Sequence, residues 1–121
     1  MRCGVNLNAS PEDFPPEVAA TATSLFQALG RRVNRALFTA ALWGRLEEWL
    51  DLHHEVGFDP VRARWKELSS TLGQQVRVRT DRSELHGVAE DIDESGVLLV
   101  RTETGSLERV LAGDVEQLRP R

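Results

Sequence analysis

Two stretches decide the architecture: Gly73-Gln74-Gln75-Val76-Arg77-Val78-Arg79 and Asp93-Glu94-Ser95-Gly96-Val97-Leu98-Leu99-Val100. In the first, valines alternate with arginines, the two-residue period of a strand with one face inward. In the second, an Asp/Glu/Ser/Gly turn signal opens onto a short apolar strand. Between them Asp81-Arg82-Ser83 is a turn candidate, and Leu85 to Ile92 reads as a strand interrupted by Gly87. Beyond them Thr104-Gly105 turns again, Leu107 to Leu111 is another strand, and Val115 to Leu118 is a fifth. Four or five short strands at turn spacing predict a small closed or half-closed β-barrel.

Upstream of Gly73 the period is helical. Ser24-Leu25-Phe26-Gln27 fits a capping box, with Gly30 as the left-handed stop of a short helix. Asn34 is a good N-cap for a long helix on which Leu37, Phe38, Ala41, Leu42, Leu46, Trp49, Leu50 and His53 recur at helical spacing. That helix is expected to end near Gly57. Asp59-Pro60 opens another, with Asp59 as N-cap, apolar Val61, Trp65 and Leu68, and Gly73 as its stop. Residues 9 to 22, with Ser10-Pro11 and Phe14-Pro15-Pro16, read as a loop. Cys3-Gly4-Val5-Asn6-Leu7-Asn8 has apolar residues at alternate positions and is expected to be a strand. With almost nothing upstream, it must pair with something downstream or with another chain, or stay unpaired, which suggests a fragment. The fold class is therefore α+β: a short N-terminal strand and three helices, then the barrel.

Composition narrows the functional classes. The 121 residues are 40% hydrophobic and 28% charged, as in a soluble globular protein. No apolar run is long enough to span a bilayer, and no N-terminal signal pattern is visible. One cysteine, Cys3, excludes an internal disulfide and suggests a reduced, cytoplasmic setting. A net charge of −4 gives no long-range attraction to nucleic acid. Arg77, Arg79 and Arg82 form a local basic stripe that is read as a solvated strand face. His53, His54 and His86 lack partners at zinc spacing, and adjacent helical histidines diverge by about 100°. Trp43, Trp49 and Trp65 are read as packing anchors. Gly44, inside the long helix, marks either tolerance or a close contact.

Taken in order, these segments resemble the end of biotin protein ligases. Cys3-Gly4-Val5-Asn6-Leu7-Asn8 resembles the family's Gly-Ile-Gly-Ile-Asn strand, with Arg2 where the first glycine stands. Phe14-Pro15 followed by Ala22-Thr23-Ser24-Leu25 resembles its proline loop and Ala-Thr-Ser-Leu signature. Val33-Asn34-Arg35 is similar to the Val-Asp-Arg that opens its long helix, and Gly57-Phe58 with Trp65 to the helix that follows. Leu72-Gly73 with Val76-Arg77-Val78 resembles the junction into the C-terminal barrel. Gly87-Val88-Ala89, Ile92-Asp93, Gly96-Val97-Leu98-Leu99 and Ala112-Gly113-Asp114-Val115 follow the pattern of that SH3-like barrel.

The resemblance implies an end of a catalytic domain over residues 1–72 and an SH3-like barrel over 73–121. It implies an enzyme that joins biotin to ATP, with magnesium, giving biotinyl-5′-AMP and pyrophosphate. Biotin then passes to a lysine of biotin carboxyl carrier protein. The family's glycine- and arginine-rich loop and its Lys-Trp-Pro-Asn-Asp segment have no counterpart here, so the chain alone is expected to be inactive. By match to family positions, Asn6, Gly4, Asp114 and Arg119 are the candidate nucleotide-binding residues; no residue is assigned a catalytic role and none a metal. Asn6 otherwise ties down its own loop, Asp114 and Arg119 otherwise form a surface pair, and Gly4 serves close approach of ligand or strand. The long helix's apolar face is expected to be buried by self-packing of the helices or by homodimerisation. A binding module for a protein or nucleic-acid partner is the competing class.

Overall fold

The computed structural model describes residues 2–118. They form a 3-10 turn at Pro11–Asp13, helices α1 (Leu25–Leu29), α2 (Arg35–Val56) and α3 (Asp59–Leu68), and strands β1 (Gln75–Arg79), β2 (Glu84–Ile92), β3 (Leu98–Thr102), β4 (Leu107–Val110) and β5 (Asp114–Gln117). The chain divides within α2 into two compact units, Met1–Glu48 and Trp49–Arg121.

In the second unit the five strands make one antiparallel sheet in the order β4-β3-β2-β1-β5. β1 to β4 follow one another as a meander, and β5 returns to the free side of β1, with Val78 opposite Val115. The valine–arginine alternation of β1 is realised directly: Val76 and Val78 are buried, and Arg77 and Arg79 face outward. The buried valines join Ala89 and Val100 in a core flanked by Leu72, Leu85, Leu98 and Val110. Along β2 the inward set is Gly87, Ala89 and then Ile92, and the period breaks because the ladder with β3 shifts between Ala89 and Asp91. Such a bulge bends a strand and flips its later side chains, which is how one strand follows a curved, barrel-like sheet.

At Gly87 the close approach of β2 and β3 depends on the missing side chain. A Cβ there would run into the backbone carbonyl of Arg101 on β3, so only glycine lets the strands approach. The turn between β2 and β3 is organised by Asp93, whose carboxylate accepts the backbone N–H groups of Ser95 (2.9 Å) and Val97 (3.0 Å). Those bonds, chiefly that from Val97, hold its carboxyl below its ordinary range. Arg109 on β4 adds a charge-assisted bond at 2.8 Å.

Helix α3 sits on this sheet through a polar clamp. Lys66 donates to Asp91 at 2.8 Å, and Arg62 reaches the Ile92 carbonyl at 2.8 Å. α3 begins with Phe58 in the capping position, so Asp59 is its first helical residue and caps nothing with its side chain. Pro60 accounts for the shift, because the first turn tolerates proline at either of its early positions. Asp59 there still favours the helix N-terminus electrostatically. The helix stops at Leu68, before Gly73, because Ser69 turns the chain and its hydroxyl accepts the N–H groups of Thr71 and Leu72.

In the first unit, α1 is capped by Ser24, whose oxygen accepts the Gln27 N–H at 3.2 Å, and is closed by Gly30 at φ 70°. Only half of the expected capping box forms: the Gln27 side chain donates to the Ala9 carbonyl instead. Asn34 caps α2 through the Leu37 N–H at 3.0 Å. One sequence expectation fails. Cys3–Asn8 pairs with no strand among the described residues; it is tied instead to α1, Leu25 and Phe26 donating to the Asn6 and Leu7 carbonyls. Alternation supplies a strand's faces, but a ladder also needs a neighbour. No residue of α2 is buried, and Leu37 is 71% and Trp43 64% exposed. Besides the expected stripe, α2 carries Ala36, Ala40, Trp43 and Leu52, so its apolar residues spread round most of the helix, a pattern typical of helices covered on more than one side.

Candidate functional site

The four candidate residues fall at separate places. Gly4 and Asn6 lie in the first unit and Asp114 in the second; Arg119 lies outside the described residues.

Asn6 is exposed, in the extended segment that docks on α1. Its amide donates to the Thr23 carbonyl at 3.2 Å, and its own carbonyl accepts from Leu25. The loop-tying role is thus real, yet it consumes one donor only. The side-chain oxygen accepts no hydrogen bond among the described residues, so Asn6 keeps an acceptor and a second N–H for a ligand. Gly4 has open space where a Cβ would stand, so nothing among the described residues approaches it closely.

The segment is held by a residue the sequence reading passed over. Asn8 donates to the Val33 carbonyl at 2.9 Å and accepts the Val33 N–H at 2.7 Å. One side chain thereby imitates the paired bonds of a strand and fixes residues 6–8 against the start of α2. Cys3, Val5 and Leu7 line a shallow cleft with Phe38, Thr39 and Leu42 of α2 and with Arg35.

Asp114 opens β5, directly opposite Arg79 on β1. The residue before it fixes that placement: Gly113 has φ 137°, and a Cβ on it would lie 2.5 Å from the Arg79 carbonyl oxygen. The Ala112–Asp114 loop and the β1–β2 turn enclose an open cleft lined by Arg79, Thr80, Asp81 and Arg82 besides Asp114. The turn itself is rigid, with the Thr80 hydroxyl accepting the N–H groups of Arg82 (3.3 Å) and Ser83 (3.0 Å). From sequence, Asp81-Arg82-Ser83 reads as a turn and Arg82 as part of a solvated basic stripe, not as the wall of a cleft.

Charge in the cleft is partly committed. Arg79 meets Glu84 at 3.1 Å, and Glu84 also holds His86 at 2.6 Å; these contacts, His86 first, keep the Glu84 carboxyl below its ordinary range. Arg77 is paired with Glu116 across the β1–β5 ladder, which raises the guanidinium's pKa and lowers that of the carboxyl. Two of the three arginines of the basic stripe are therefore neutralised by neighbours, while Arg82 and Asp114 make no ion pair among the described residues. Groups of three or more His, Cys, Asp or Glu side chains able to hold a metal are absent among the described residues, and no described helix is long and apolar enough to cross a membrane.

The second unit is thus a five-stranded antiparallel sheet with a helix clamped to its second strand and Gly113-Asp114 at the start of its last. Residues 71–117 match the family model described as "Biotin protein ligase C terminal domain", and the chain is similar over nearly its whole length to proteins of that kind. It is 34% identical over 113 residues to the bifunctional ligase/repressor BirA of Bacillus subtilis, covering 93% of this chain and 34% of that protein. It is 33% identical over 103 residues to the biotin–[acetyl-CoA-carboxylase] ligase of Paracoccus denitrificans, covering 84% of this chain and 43% of that one. The fold matches a biotin protein ligase from Aquifex aeolicus, solved in complex with biotin and ATP, at a TM-score of 0.80 and 23% identity, over 95% of this chain and 48% of that one. The chain thus spans between about a third and a half of the length of these relatives.

Proposed function

We propose that this chain supplies the C-terminal portion of a cytoplasmic biotin protein ligase: the end of the catalytic domain over residues 1–72 and an SH3-like barrel over 73–121. In this reading the whole enzyme first activates biotin. A carboxylate oxygen of biotin attacks the α-phosphorus of ATP, the bond to the β-phosphate bridging oxygen breaks, and pyrophosphate leaves with its electrons. The amine of a lysine on biotin carboxyl carrier protein then attacks the biotinyl carbonyl, AMP leaves, and an amide remains. Both steps build charge that must be met by fixed donors in a site shielded from water.

The observation that carries this reading is the family match at residues 71–117 together with Gly113, whose backbone sets Asp114 over β1. The contribution of the chain is the rim of the nucleotide site. Asn6 offers its free acceptor and N–H to an adenine edge or ribose, and Gly4 leaves room for a ligand beside the backbone. Asp114 and, by its match to the family pattern, Arg119 are the further nucleotide-binding residues in this reading, with Arg82 as a cation in the Asp114 cleft. Magnesium in this reading is bound with the ATP phosphates, as is common for that ion. In this reading the chain alone is inactive, because it has no counterpart of the family's glycine- and arginine-rich loop or its Lys-Trp-Pro-Asn-Asp segment.

A chimaera tests this directly. Replacing the matching third of the Bacillus relative with this chain is expected to give a folded protein that biotinylates the carrier. A chimaera that folds, binds biotin and transfers none contradicts the proposal.

A further inference from the structure

We draw no further inference here: the strongest candidate, the cleft between the Cys3–Leu7 segment and the Phe38–Leu42 face of α2, is an unpartnered surface, and nothing in the structure shows what covers it.

Discussion

Three glycines show how much a missing Cβ can carry, and each behaves differently. Gly87 and Gly113 stand where a side chain would strike backbone, of Arg101 and Arg79 respectively, and backbone cannot swing aside. Gly87→Ala is expected to lower stability by about 1–3 kcal/mol, read as a fall in the urea midpoint at unchanged slope. Gly44 is the opposite case: it lies mid-helix in α2 with open space around it. Gly44→Ala is expected to raise stability by roughly 0.5–1 kcal/mol, because alanine loses less backbone entropy on folding. A fall instead would reveal a close neighbour at that face. Asp114 is exposed and makes no ion pair among the described residues, so Asp114→Asn should leave stability within about 0.5 kcal/mol. In the chimaera the same change should raise KM for ATP if the carboxylate faces the nucleotide; unchanged kinetics would remove Asp114 from the site.

At the level of elements, what was legible in the sequence was whatever is encoded locally. Asn34, Ser24 and Gly30 act on their own helices, and Asp93 with Gly96 makes its own turn, so caps and turns could be read one residue at a time. Val76 and Val78 declared their face by alternation. Cys3–Asn8 shows the limit of that method, since its partner, if any, is not written in its own residues. Asn8 was passed over for a related reason: its bonds to Val33, 25 residues on, depend on how the chain returns in space. Of the site, the Gly113-Asp114 pair was visible as a motif, whereas the turn that walls its cleft was visible only as a turn. The α3 clamp carries an acid signature. Asp91 is held below its ordinary pKa, first by Lys66, so its stabilising effect is present above the unfolded aspartate value. The effect is lost as pH falls through the folded value. Carboxyl titration by NMR should place Asp91 below an unperturbed aspartate, and Lys66→Met should return it toward the ordinary range. An Asp91 that titrates normally in the parent chain contradicts the clamp.

For the whole molecule, the outstanding feature is α2, which carries more apolar surface than its own chain covers. Burying one leucine or tryptophan of this helix contributes roughly 1.5–3 kcal/mol, so Leu37, Leu42, Trp43 and Leu50 together are a strong drive to associate. We expect the isolated chain to form dimers or larger species in sedimentation velocity and to bind a hydrophobic dye, with Leu42→Glu and Leu50→Glu moving it toward monomer. A dilute monomer that takes up no dye contradicts this. In the proposed function, other polypeptide completes the site to which these residues contribute. Biotin transfer to carrier protein, followed with this chain alone and after mixing it with the separately produced remainder of the Bacillus relative, tests that idea most directly. The account predicts no transfer by either part and transfer by the mixture; turnover of biotin and ATP by the unaided chain would contradict it.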